Sequence, residues 1–174
     1  DLFISLHVNG NKKRSVRGTS VYCLSLKGAS DKAAELLAQK ENTSDMVGGI
    51  SSAPARKDLD SILLDLEQTH TINESLQLGG MALKELGHIN RIQFTQPRQA
   101  NFVVLKAPSI PSILVEAAYI TNPAEENVLR QERFQLALTR AILAAVKKFM
   151  PLLAVKEEGP GEELPKTKAR GKKG

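Results

Sequence analysis

The stretch that most constrains this chain is its first nine residues, Asp1-Leu2-Phe3-Ile4-Ser5-Leu6-His7-Val8-Asn9. A two-residue period sends Leu2, Ile4 and Leu6 to one face and Phe3, Ser5 and His7 to the other, which predicts a buried β-strand ending on a histidine. In open α/β sheets, ligands sit outside the carboxyl ends of the strands, and His7 falls at that end. No turn or helix leads into this strand.

A second run makes the same kind of demand. Ser112-Ile113-Leu114-Val115-Glu116 reads as a buried strand that delivers a carboxylate. Asn122-Pro123-Ala124-Glu125 then has the marks of a helix start: Asn as N-cap, Pro at the first position, Glu at the third. Between the two runs the pattern predicts a strand over 19–26 and a helix capped by Ser30 that runs to about Glu41. Two further helices are expected over 58–70 and 73–86, the second closed by Gly87 at C′, followed by a short strand over 102–105. Gly79 and Gly80 are small enough to let the helix over 73–86 approach the sheet. A last helix is expected from Gln131 to Met150, limited by Pro151. Strands alternate with helices, so the class is α/β, a mostly parallel sheet flanked by helices. Residues 43–72 read as an insertion with a short acidic amphipathic helix. Residues 151–174 read as a tail in which Glu, Gly, Pro and Lys leave nothing to build a core.

Composition narrows the function. The net charge of +5 comes largely from Lys166, Lys168, Arg170, Lys172 and Lys173, beside Pro and Gly near the C-terminus. Without that tail the domain is close to neutral, so a solvated end is expected and no nucleic-acid partner. No apolar run is long enough to cross a membrane. The absence of a recognisable signal peptide says nothing about export. Cys23 is the only cysteine, which excludes an internal disulfide and a cysteine-type zinc cluster; its apolar neighbours give it a buried structural role.

His7 and Glu116 are the chemical candidates. Neutral imidazole is a zinc ligand, and a nearby carboxylate can carry a proton from water to a leaving nitrogen. Spacing alone leaves a structural histidine and a metal ligand both open. The other histidines, His70 and His88, do not have metal-ligand spacing with His7.

DLFISLHVN and PSILVEAAYITNPAEE resemble two motifs of the zinc-dependent N-acetylmuramoyl-L-alanine amidases, the bacterial cell-wall hydrolases of the amidase-3 group. GTSVYCLSLKGAS, ENTSDMVGG and FVVLKAPSIPS match in register between them, and the resemblance covers residues 1–150. It implies the amidase fold of the phosphorylase/hydrolase-like type, with His7 as a Zn2+ ligand and Glu116 as the catalytic base and acid. The substrate would be the amide joining N-acetylmuramic acid to L-alanine of the peptidoglycan stem peptide. Asn9, two residues past His7, is a candidate for substrate contact. The family's two other zinc ligands, a His and a Glu, belong to segments N-terminal to DLFISLHVN, so a catalytic domain truncated at its N-terminus is expected, inactive by itself. The resemblance further implies a periplasmic or cell-wall location and a role in cell division. The insertion would be an autoinhibitory helix, displaced by an activator protein, with Asp60, Asp65 or Glu67 facing the metal. The alternative is a non-catalytic peptidoglycan-binding module on the same scaffold.

Overall fold

The computed structural model describes residues 1–47 and 60–157. The described elements are β1 (Phe3–Asn9), β2 (Ser20–Leu24), α1 (Lys32–Val47), α2 (Asp60–Leu86), β3 (Arg98–Ala100), a 3-10 turn (Val103–Leu105), β4 (Ser112–Tyr119), α3 (Pro123–Leu129) and α4 (Glu132–Glu157). The sheet order is β1-β4-β2-β3. β1 runs parallel to β4, and β3 parallel to β2, while β2 and β4 are antiparallel. The expected α/β class holds, with one antiparallel pair in the middle.

All eight residues of β4 are buried. Its side chains alternate between two apolar layers, which is why the run is apolar throughout except at Glu116. Ile113, Val115 and Ala117, with Val21 and Cys23 of β2, meet Leu78, Ala82 and Leu86 of α2 and Leu138, Ala145 and Phe149 of α4. Leu114, with Tyr22 and Leu24, faces Ala34, Leu37 and Ala38 of α1 on the other side, along with Phe102 and Leu105. The protein is thus layered helix, sheet, helix, and Glu116 shares the α1 side with Leu114 by the same alternation.

Several local expectations are corrected. Among the described residues β1 lies at the edge of the sheet rather than buried within it: Leu6 and Val8 are exposed at 54% and 42%. β4 does not end on Glu116 but continues to Tyr119, because Ala117, Ala118 and Tyr119 are themselves buried. The helices expected over 58–70 and 73–86 are one helix, α2; neither Pro nor Gly interrupts Thr71 and Ile72. The strand lies at 98–100 rather than 102–105, where the chain makes a 3-10 turn instead. Pro151 sits inside α4 without ending it. The cap of α1 is Asp31, whose Oδ1 accepts the Ala34 N–H at 2.8 Å; the Ser30 hydroxyl accepts the Gln99 N–H instead. Asn122 caps α3 as expected, accepting from the amides of Ala124 and Glu125. Cys23 is fully buried, its thiol against the Ser75 carbonyl at 3.3 Å, and burial pushes its pKa up to about 12. Residues 48–59 of the expected insertion and 158–174 of the tail lie outside the described residues.

Of the paired glycines, only Gly79 serves close packing: a Cβ there would stand 3.3 Å from Cys23 Sγ and 3.0 Å from Pro97 Cγ, while Gly80 faces open space. Gly18 adopts φ 113° at the entry to β2, and a Cβ would meet the Arg91 carbonyl oxygen at 2.8 Å. Gly18→Ala is therefore expected to cost about 1–3 kcal/mol, since strain and a backbone clash combine. Gly80→Ala should stabilise by about 0.5–1 kcal/mol, because alanine loses less entropy in a helix interior. Urea denaturation of the two variants checks both signs.

Candidate metal and proton-transfer site

β1 and β4 pair so that His7 and Glu116 are direct neighbours across the ladder. In-register partners point to the same face of a sheet, so both side chains emerge beneath α1. α1 adds a third group. Glu41 is buried, and its Oε2 accepts a hydrogen bond from His7 Nδ1 at 2.9 Å. His7, Glu41 and Glu116 each offer a ligand atom within 4.8 Å of the others. With Nδ1 donating to the carboxylate, Nε2 accepts the Ser5 hydroxyl proton across 2.8 Å.

Asn42 explains why Glu41 is held there. Its Nδ2 donates to the Asn101 carbonyl and its Oδ1 accepts the Val103 N–H, each at 2.8 Å. That two-point tether, one residue beyond Glu41, fastens the C-terminal half of α1 to the 3-10 turn. Asp31 secures the N-terminal end by capping it. Lys40 Nζ bonds the other Glu41 oxygen at 2.8 Å, which offsets part of the carboxylate's charge.

Glu116 is the anomaly of the fold. It is fully buried, and neither carboxyl oxygen has a hydrogen-bond partner among the described residues. An ionised carboxylate in such a place loses its hydration and gains nothing in return. Burial therefore pushes its pKa up to about 8, helped by the negative charge of Glu41 and opposed by Lys40. The carboxyl is neutral at pH 7 in the metal-free protein. A divalent cation among the three groups would reverse that logic, favouring the ionised form. The His7 imidazole is a donor that suits zinc, and the two carboxyl groups beside it supply the negative charge that a divalent cation favours, so the residues fit the metal.

The remaining expected site residues fall in two groups. Asn9 lies on the same face as His7, buried, with its Nδ2 3.3 Å from the Tyr119 hydroxyl. The register slips between His7 and Asn9, so three steps on β4 oppose two on β1. That bulge brings Tyr119, rather than Ala118, opposite Asn9. Asp65 and Glu67 are exposed on α2 and are not brought to His7. The part of α2 that packs on the sheet through Leu78, Ala82, Leu83 and Leu86 lies on the opposite face. The side chain of Asp60 lies outside the described residues. Glu41 was not singled out from the sequence: it lies 34 residues from His7, on a different element, and only the packing of α1 joins them.

With this geometry in hand, comparison with known proteins is decisive. The family model described as N-acetylmuramoyl-L-alanine amidase, Amidase_3, matches residues 1–148. The chain belongs to this family. It is 45% identical over 149 residues to N-acetylmuramoyl-L-alanine amidase AmiC of Escherichia coli O6:H1, covering 86% of this chain and 36% of that protein. It is 41% identical over 150 residues to AmiC of Neisseria meningitidis serogroup B, with the same coverage, 86% and 36%. The chain thus spans 36% of the length of these relatives. Among solved structures, the CwlD amidase of Clostridioides difficile, in complex with the GerS lipoprotein, shares the fold with a TM-score of 0.54 at 17% identity, over 87% of this chain and 55% of that one.

The raised pKa gives a signed prediction. Glu116 titrates near 4.5 when unfolded and near 8 when folded. Between these values the folded state holds a proton that the unfolded state has lost, so metal-free stability falls as pH rises from 4.5 to about 8. The loss should be on the order of a few kcal/mol. Glu116→Gln should flatten the dependence and exceed the wild type in stability at pH 8, as read by urea denaturation in the presence of chelator.

Proposed function

We propose that this chain is part of the catalytic domain of a zinc-dependent N-acetylmuramoyl-L-alanine amidase that cleaves the bond between N-acetylmuramic acid and L-alanine in peptidoglycan. The observation that carries the reading is the in-register pairing of His7 with a buried, unpartnered Glu116 in a chain that matches the amidase family over residues 1–148.

In this reading His7 is a metal ligand, and zinc, when bound, supplies a water acidic enough to attack an amide at neutral pH. The chain's own residues do the rest. Ser5 and the strand pairing fix the imidazole ring. Glu116, ionised by a neighbouring cation, accepts the proton of the attacking water and donates it to the departing amide nitrogen. Asn9, at the end of β1, contacts the substrate.

Regulation belongs to the same proposal. α1 presses Glu41 onto His7, so a helix carboxylate occupies the ring nitrogen that faces the site. A partner protein that draws Glu41 away from His7 would free it; the CwlD amidase, a fold relative, is seen in complex with the GerS lipoprotein. In this reading the inhibitory contact is made by Glu41 rather than by Asp65 or Glu67, while the side chain of Asp60 lies outside the described residues. A role in cell division and a periplasmic or cell-wall location accord with the proposed substrate. Among the described residues no helix is long and apolar enough to cross a membrane.

Two outcomes are expected in the full-length, zinc-loaded protein. Glu116→Gln retains zinc but lowers release of stem peptides from muropeptides by about 10²–10⁴-fold, the usual contribution of general acid–base catalysis. Peptidoglycan binding with no turnover even in the wild type would instead mark a non-catalytic module. Glu41→Ala raises basal turnover; an unchanged rate in a folded variant would remove the inhibitory role of α1.

A further inference from the structure

Glu116 has a neighbour on each side in the sheet. His7 faces it from β1 and Ser20 from β2. Partners in register share a face, with Cβ atoms about 4.5–5.5 Å apart, so the Ser20 side chain stands beside the Glu116 side chain beneath α1. Ser20 is 1% exposed. A buried hydroxyl is conspicuous at that place, because the next four residues of β2, Val21 to Leu24, build the two apolar layers.

The Ser20 hydroxyl is barely used. Its hydrogen bond goes to the Tyr22 hydroxyl at 3.5 Å, beyond the usual O–H···O distance of about 2.5–3.0 Å. Burial pushes the Tyr22 hydroxyl up to about 12, so it stays a neutral phenol, a weaker acceptor than a carboxylate. The other polar groups around Glu116 are committed. Lys40 Nζ bonds Glu41 at 2.8 Å, and His7 spends Nδ1 on Glu41 and Nε2 on Ser5. The Tyr119 hydroxyl donates to Gln93 Oε1 at 3.1 Å. Among the described residues, Ser20 is therefore the in-register neighbour with a proton to redirect.

We propose that the Ser20 hydroxyl turns to the Glu116 carboxylate when that group is ionised and holds it for proton transfer. The inference rests on the amidase reading for the role of Glu116. A serine hydroxyl changes partner by rotation about χ1, so the exchange needs no backbone movement. One carboxylate oxygen is then fixed by Ser20, and the other is left for the proton of the attacking water. The new bond is charge-assisted, about twice as strong as a neutral one. It also offsets the cost of an unpartnered buried carboxylate, a cost that the protonated form avoids. Ser20 is thus a positioning residue that acts through Glu116.

The test uses the full-length, zinc-loaded protein as wild type, Ser20→Ala, Glu116→Gln and the double variant. Ser20→Ala should lower kcat for muropeptide cleavage about tenfold, with KM within about twofold and zinc content unchanged. In the Glu116→Gln background the same change should alter the residual rate by less than about twofold, since no carboxylate remains to hold. An unchanged kcat, or an equal loss in both backgrounds, overturns the proposal. Infrared difference spectra give a reading that needs no turnover. Subtracting Glu116→Gln from wild type isolates the Glu116 carboxylate band, and subtracting the double variant from Ser20→Ala isolates the same band without the hydroxyl. The band should move when the hydroxyl is removed; an unmoved band overturns the proposal whatever the rates. A wild type that binds zinc without cleaving muropeptide would remove the amidase reading, and the infrared comparison would still decide the contact between Ser20 and Glu116.

Discussion

Everything at the site follows from burying one carboxyl group. Glu116 stands in the middle of a strand whose eight residues are all buried, and among the described residues neither oxygen has a hydrogen-bond donor. A buried ionised carboxylate without a partner is too costly to keep, so the group holds its proton up to about pH 8. A leucine or valine there would pack at no such cost. The fold tolerates the carboxyl because the rest of β4 and both covering layers are apolar and close-packed around it.

The same constraint organises the α1 side of the sheet. Alternation along β1 and β4 brings Ser5, His7, Asn9, Leu114 and Glu116 to one face. Half of that face is an ordinary core under Leu37 and Ala38; the other half is polar and collects His7, Glu41 and Glu116. Asn42 and Asp31 decide where the helix lies, and so whether Glu41 reaches His7. The Glu41 carboxylate and the protonated Glu116 beside one imidazole are an arrangement in which a divalent cation would favour the ionised form of Glu116. The proposed zinc chemistry and the proposed closure by α1 are two outcomes of one cluster: either the cation or the helix carboxylate satisfies His7.

Much of this was legible in the chain. The α/β class followed from the alternation of apolar strands with amphipathic helices, and the Asn122-Pro123 helix start was read correctly because capping is a local effect. His7 and Glu116 could be named because a titratable residue inside an apolar strand is conspicuous. What escaped was decided by packing at a distance. The exposure of Leu6 depends on sheet order, which a local pattern does not encode. The continuity of α2 through Thr71 and the survival of α4 past Pro151 reflect helices held by their tertiary neighbours, whatever their local propensity. Glu41 was invisible for the same reason: on its own helix it is one more polar residue, and only the Asn42 tether gives it a role. The bulge that turns Tyr119 towards Asn9 likewise has no signature in the run Ala117-Ala118-Tyr119.

The central claim is that Glu116 holds a proton in the metal-free protein and releases it to solvent when a cation binds at the neighbouring His7. Calorimetric titration of zinc into the full-length protein at pH 7, in two buffers of different ionisation enthalpy, counts the protons released per metal. The account predicts that the wild type releases about one more proton than Glu116→Gln does, because the variant has no carboxyl to deprotonate. Equal proton release from the two proteins would contradict it.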